Sequence, residues 1–112
     1  MAEKNNCHYC DQVFKGEVEV EKIYDSEYVF AFNSLHPEAE KDIVIVPKKH
    51  IKDLTALIGE DEIYLWEIVK VAKYVAKTLI ESVGNARLVT DMGNLQKEPH
   101  LSFRLIAGKD LK

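Results

Sequence analysis

The segment at residues 99–107 carries three side chains whose types could do chemistry. Its polar and apolar residues alternate, so a β-strand would place His100, Ser102 and Arg104 on one face. An imidazole transfers protons or binds metals, a hydroxyl can act as a nucleophile, and a guanidinium binds phosphate or carboxylate groups. The apolar side chains of the same stretch would face the core: Leu101, Phe103 and Leu105.

A second group of candidate residues has the spacing of a metal site. Cys7 and Cys10 form a C-x-x-C motif, which lets one tight turn present two thiolates. Structural zinc prefers four ligands drawn from thiolate and imidazole, and His50 and His100 both lie at the ends of predicted strands. If those strands are neighbours, both imidazoles could reach the cysteines. Spacing alone leaves a two-cysteine, two-histidine metal site and a dithiol redox pair open, and His36 is expected at the surface.

A five-stranded sheet and one long helix are predicted to position these groups. The expected strands cover residues 18–24, 27–33, 42–47, 86–90 and 100–107. Residues 42–47 are nearly all β-branched and end at a proline, which is typical of a central strand buried on both faces. The helix repeats apolar residues every three or four positions from Leu65 to Val83 and stops at Gly84. Trp66 could pack in the core against the sheet or meet a second subunit, and core packing is the favoured expectation.

The order of these elements predicts the fold class. A short helix is expected within residues 51–58, between the central strand and the long helix. Strands followed by a helix and then by further strands indicate an α+β fold with a mainly antiparallel sheet. We therefore expect a single domain over residues 1–112.

Length and composition limit the class of protein. The chain has 112 residues, enough for one domain with a core, and 46% of them are hydrophobic, which argues against disorder. The net charge of −4, with no dense basic tract, argues against a nucleic-acid partner. No apolar run reaches the roughly 18–20 residues of a membrane span, and no secretory signal precedes Cys7. A cytoplasmic protein with no membrane partner is therefore expected.

Three segments resemble the histidine triad (HIT) family. They are residues 28–37 (Tyr-Val-Phe-Ala-Phe-Asn-Ser-Leu-His-Pro), 43–51 (Ile-Val-Ile-Val-Pro-Lys-Lys-His-Ile) and 99–106 (Pro-His-Leu-Ser-Phe-Arg-Leu-Ile). The resemblance implies a five-stranded antiparallel sheet with helices packed on it, and homodimers formed through the long helix and a neighbouring strand. It also implies nucleotide binding and hydrolysis or transfer of nucleotidyl groups at the α-phosphate.

The resemblance to the zinc-containing branch of the family also implies a metal. In that branch, a structural zinc ion takes the two cysteines, the histidine after Pro-Lys-Lys and the first triad histidine as ligands. Those positions are Cys7, Cys10, His50 and His100, and all four are filled here. The resemblance therefore predicts a structural zinc ion at these residues.

The chain departs from the family signature His-x-His-x-His at two positions. The second histidine, which attacks phosphorus in the family, is replaced by Ser102, and the third is replaced by Arg104. A serine nucleophile needs a neighbouring base, and neither a zinc-bound His100 nor a permanently protonated Arg104 supplies one. The ligand-binding positions implied by the resemblance are Tyr9, Ser34, Leu35, Gln96, Ser102 and Arg104.

Together these features predict a zinc-stabilised HIT-like protein that binds a nucleotide or another phosphorylated small molecule. Ser102 would occupy the nucleophile position but would not act as a nucleophile. Three alternatives remain open. The chain could be an active nucleotidyl hydrolase or transferase in which water attacks directly and Arg104 stabilises the developing charge. It could instead be a C-x-x-C redox or regulatory protein, or a dimeric interaction module.

Overall fold

The computed structural model describes residues 9–13, 16 and 19–111. The predictions about Cys7 and about the first residue of the expected strand 18–24 therefore lie outside the described residues. Residues 19–111 contain all five described strands, the long helix and most of the loops around the candidate site.

Five antiparallel strands form one sheet, which confirms the predicted fold class. The strands are β1 (Lys22–Asp25), β2 (Val29–Asn33), β3 (Lys41–Pro47), β4 (Arg87–Val89) and β5 (Phe103–Ala107). Their order across the sheet is β1-β2-β3-β5-β4, so β3 is the central strand. Every pairing is antiparallel, and the register places Val44 opposite both Phe32 on β2 and Arg104 on β5.

Strand β3 is buried on both faces, as its β-branched sequence predicts. Its apolar residues alternate between two cores, because successive side chains of a strand point to opposite faces. Ile43 and Ile45 pack toward the helix, whereas Val44 and Val46 pack against a smaller cluster on the opposite face. Val13 belongs to this second cluster, so the one-turn helical segment Tyr9–Val13 lies on the face of the sheet that bears Arg104.

The long helix, α1, spans Glu62–Val83 and packs on the other face of the sheet. The helix ends at Gly84, as predicted. This glycine has φ of 101°, and its N–H donates to the carbonyl oxygens of Leu79 and Ile80. The helix buries one apolar stripe against the sheet: Ile68, Val71, Ala72 and Leu79. The predicted burial of Trp66 is wrong, since 58% of this residue is exposed, on the side of the helix away from the core.

Three local predictions differ from the structure. The first strand, expected over residues 18–24, begins at Lys22 and ends at Asp25. The short helix expected at residues 51–58 is replaced by two 3-10 turns, Leu54–Ala56 and Gly59–Asp61, the first capped by the Asp53 carboxylate accepting from the Thr55 N–H. The last strand begins at Phe103 rather than at His100. The residues before Phe103 bond elsewhere: the His100 N–H donates to the Glu98 carbonyl oxygen, and the next N–H along the chain donates to the Ile51 carbonyl oxygen.

A candidate metal centre beside a polar cavity

Three potential metal ligands converge at one end of the central strand. Cys10 lies in the helical turn Tyr9–Val13, His50 follows β3, and His100 precedes β5. The Cys10 Sγ atom lies 3.3 Å from His50 Nδ1 and 3.6 Å from His100 Nδ1, and the two Nδ1 atoms are 3.2 Å apart. These three ligand atoms were predicted to meet, and the tertiary structure brings them together from segments 40 to 90 residues apart.

The separations fit a tetrahedral zinc ion. Bond lengths of about 2.0–2.1 Å from zinc to nitrogen and about 2.3 Å to sulfur give tetrahedral edges of roughly 3.3 Å between nitrogens. The same bond lengths give roughly 3.6 Å between nitrogen and sulfur. The observed distances match these edges within a few tenths of an ångström. Cys7, the fourth predicted ligand, lies outside the described residues.

A hydrogen bond donated by the His100 ring fixes the tautomer that a metal ligand requires. Its Nε2–H donates to the Pro47 carbonyl oxygen at 2.9 Å, which leaves the lone pair of Nδ1 directed at Cys10 and His50. The ring is fully buried, and burial lowers its pKa to about 4, with nearby His50 adding to the effect and the Pro47 bond opposing it. His100 is therefore neutral at physiological pH, which is the form that binds zinc. The Tyr9 ring packs edge-on against it, with centroids 5.3 Å apart.

The segment that carries His50 is anchored at both sides of the histidine. The Lys49 ammonium group donates to the buried Asp61 carboxylate just before α1, and the Ile51 carbonyl oxygen accepts from the Leu101 N–H at 2.6 Å. The hydrogen bond from Lys49 and a second one from the Ile58 N–H lower the pKa of Asp61. These bonds hold His50 against the segment of His100, so the two imidazoles are positioned by the fold around them.

A cavity of about 380 Å³ lies beside the three potential metal ligands, on the face of the sheet opposite α1. All the residues predicted to bind a ligand line it: Tyr9, Ser34, Leu35, Gln96, Ser102 and Arg104. Some of these side chains also hold the wall together. The Ser34 hydroxyl accepts a hydrogen bond from the His36 N–H, and the Gln96 amide donates to the Lys52 carbonyl oxygen.

Ser102 faces this cavity without help from His100. One ring nitrogen of His100 donates to Pro47, and the other points at Cys10 and His50. Neither nitrogen is therefore directed at the Ser102 hydroxyl, with or without a metal ion. The Ser102 carbonyl oxygen accepts a hydrogen bond from the Thr90 hydroxyl at 2.7 Å, which fixes the backbone at this point.

Arg104, which lines the cavity, binds two carboxylates. Its Nη1 donates to Asp42 Oδ2 at 3.0 Å, and its Nη2 lies 2.9 Å from Glu38 Oε1. Burial opposes the charge of the guanidinium, but Asp42 and Glu38 outweigh this effect and raise the pKa of Arg104. The Asp42 side chain is completely buried, so Arg104 supplies the positive charge that a buried carboxylate needs.

Comparisons with known proteins agree with this architecture. The family model described as "Scavenger mRNA decapping enzyme C-term binding" matches residues 6–96. A HIT family hydrolase from Clostridium thermocellum has a similar fold, with a TM-score of 0.86, 29% identity, and coverage of 98% of this chain and 96% of that one. The chain belongs to the histidine triad family.

Two curated relatives of this HIT chain have informative names. A "14 kDa zinc-binding protein" of Zea mays is 32% identical over 107 residues, covering 90% of this chain and 81% of the relative. An adenosine 5'-monophosphoramidase of Saccharomyces cerevisiae is 28% identical over 108 residues, covering 95% of this chain and 65% of the relative. No helix among the described residues of the HIT chain is long and apolar enough to cross a membrane.

Sequence reasoning missed several polar residues of the HIT cavity. They are His36, Glu38, Asp91, Lys97 and Glu98, of which His36 is exposed as predicted but also lines the wall. The sequence held one clue to the ion pairs, because Asp42 begins the predicted strand 42–47, which is otherwise apolar and expected to be buried. A buried carboxylate requires a cation or several hydrogen-bond donors, and Arg104 on the last strand was the available cation.

Proposed function

We propose that this chain is a zinc-stabilised HIT protein that binds a nucleotide or another phosphorylated ligand in the cavity, without using Ser102 as a nucleophile. The observation that carries the proposal is the orientation of His100. Its two ring nitrogens point at Pro47 and at the Cys10–His50 pair, so the first triad histidine would act as a metal ligand. His100 is then not available as the base that nucleophilic attack by Ser102, at the next triad position, requires.

Zinc fits the residues that meet at the end of β3. Cys10, His50 and His100 would supply three ligands and Cys7 the fourth, and a site closed by four protein ligands is structural. The ion would supply folding free energy by joining the N-terminal turn to the segments after β3 and before β5. The name of the maize relative, a zinc-binding protein, supports this assignment. Zinc thiolate sites suit a reducing compartment, so we place the protein in the cytoplasm.

The cavity suits a ligand that has both an apolar and an anionic part. Tyr9 and Phe32 supply aromatic surface, whereas Arg104 and Lys97 supply positive charge. Guanidinium and ammonium groups bind phosphate through charge-assisted hydrogen bonds. The name of the yeast relative, an adenosine 5'-monophosphoramidase, supports an adenine nucleotide as the first ligand to test.

The decisive experiment combines elemental analysis with an activity assay. We expect about one zinc ion per chain in purified protein, lost in a His50→Ala variant and retained in His36→Ala, whose histidine lies outside the cluster. We also expect AMP to bind, and adenosine phosphoramidate to remain intact. Release of AMP that depends on Ser102 would contradict the inactive-serine proposal. Release that survives Ser102→Ala would indicate direct attack by water, and two freely reactive thiols in metal-loaded protein would indicate a redox role.

We also propose that the chain forms a homodimer through α1 and β4. Support comes from large apolar side chains that remain exposed on these elements: Trp66, Val69, Ile80 and Leu88. Exposed apolar groups of this size are typical of surfaces that are covered by a partner. Light scattering should give twice the chain mass, and Trp66→Glu should shift the protein toward monomer. A monomeric wild-type protein at micromolar concentration would refute the dimer.

A further inference from the structure

Two cations in the cavity wall converge on a single carboxylate. Arg104 Nη2 lies 2.9 Å from Glu38 Oε1, and Lys97 Nζ lies 3.0 Å from Glu38 Oε2. The two carboxylate oxygens are thus bound one by each cation, in the way that two oxygens of a phosphate group are commonly bound. Glu38, Lys97 and Arg104 all line the cavity in which the proposed function places a ligand.

Asp42 keeps Arg104 in place independently of Glu38. Its side chain is completely buried, and Oδ2 accepts from Arg104 Nη1 at 3.0 Å and from the Glu38 N–H at 2.9 Å. Separating a buried carboxylate from its cation is strongly unfavourable, so this contact fixes the guanidinium plane. The Nη2 group would therefore stay directed at the cavity if the Glu38 carboxylate moved away.

Glu38, in contrast, is the exchangeable member of the network. It lies in the loop between β2 and β3, and 47% of its side chain is exposed, as is 80% of the Lys97 side chain. Ion pairs with such exposure are weak because water screens their charges, so an anionic ligand group can compete with this carboxylate. The hydrogen bonds from Lys97 and Arg104 lower the pKa of Glu38, so it is ionised at neutral pH.

We propose that Glu38 occupies an anion-binding subsite formed by Arg104 and Lys97, and that a ligand's phosphate group binds by displacing it. This inference rests on the proposed function. The Glu38 carboxylate competes with anionic ligands for the two cations and so lowers the affinity of the cavity for such ligands. Ligands without a phosphate do not need these cations and are unaffected by the competition. The cavity therefore carries an autoinhibitory contact at its anion subsite.

The test compares Glu38→Ala with Glu40→Ala by isothermal titration calorimetry. The control removes the same charge from the same loop, but Glu40 does not line the cavity and contacts the Lys109 N–H instead. The probes are AMP, adenosine and inorganic pyrophosphate. We expect Glu38→Ala to tighten binding of AMP and pyrophosphate about tenfold and to leave adenosine unchanged, whereas Glu40→Ala changes each affinity less than twofold. Adding Lys97→Gln to Glu38→Ala should remove most of the gain.

The outcomes separate this inference from the proposed function. If the wild-type protein binds AMP and Glu38→Ala does not bind it more tightly, the inference is wrong and the nucleotide site stands. If Glu38→Ala binds pyrophosphate more tightly and no variant binds AMP or adenosine, the anion subsite stands and the nucleotide proposal is wrong. Failure of Glu38→Ala to bind any of the three probes would overturn both.

Discussion

The Nε2–H group of His100 donates a hydrogen bond to the Pro47 carbonyl oxygen at 2.9 Å. This bond joins the segment before β5 to the last residue of β3, and the two residues are 53 positions apart in the chain. It fixes the orientation of a fully buried imidazole and directs the other ring nitrogen at Cys10 and His50. The structural and chemical roles of His100 therefore depend on the same contact.

Replacing His100 should strongly destabilise the protein. His100→Ala removes a fully buried side chain and leaves the Pro47 carbonyl oxygen without this donor, so we expect a loss of about 2–4 kcal/mol in the free energy of unfolding. Urea unfolding followed by circular dichroism measures the change. The exposed His36 provides the matched control, and His36→Ala should stay within about 0.5 kcal/mol of wild type. Equal effects of the two substitutions would contradict the structural role of His100.

Removal of zinc should lower the melting temperature. If the ion contributes at least about 2–3 kcal/mol, a chelator should lower Tm by about 10 °C, since 1 kcal/mol corresponds to roughly 4 °C in a domain of this size. Differential scanning calorimetry with and without chelator measures the shift. In Cys10→Ser the chelator should have little effect, because one of the converging ligands is already lost. An unchanged Tm of the wild-type protein in chelator would argue against a structural metal.

Breaking the pair between Arg104 and Asp42 should cost more than removing the whole pair. Arg104→Met leaves a completely buried carboxylate without its cation, and we expect a loss of about 3–5 kcal/mol in unfolding free energy. Adding Asp42→Asn should recover part of this loss, since the amide carries no charge and still accepts from the Glu38 N–H. A double-mutant cycle in urea measures the coupling. Additive effects of the two substitutions would show that the pair is not coupled.

Stability should fall in acid partly through Asp61. Its folded-state pKa lies below its ordinary value, so its contribution is complete above the unfolded-state pKa of about 3.9 and is lost as pH falls through the folded-state value. Unfolding free energies of wild type and Asp61→Asn, measured from pH 6 to pH 3, should differ most at pH 6 and converge toward pH 3. The exposed neighbour Glu60 supplies the control. A wild-type advantage that is constant across this range would refute the assignment.

Much of the fold follows from local sequence patterns. The β-branched run of β3 predicts a strand buried on both faces, and the apolar periodicity followed by Gly84 predicts α1 and its end. These predictions succeed because periodicity and capping depend on neighbours in the chain. Trp66 was placed wrongly because an apolar residue at the side of a helix can face either the core or a surface, and only tertiary packing distinguishes the two.

The candidate site, like the fold, was predictable from the sequence only in part. Residue types and motif spacing determined the likeness to the HIT family and the presence of Ser102 where the family signature has histidine. They also gave the four predicted metal ligands, Cys7, Cys10, His50 and His100. Only the tertiary structure decided that the ligand atoms of Cys10, His50 and His100 lie at zinc-like separations, because these distances depend on the order of β3 and β5 in the sheet. The network around Arg104 also required it, since an ion pair between distant segments leaves no periodic trace in the chain.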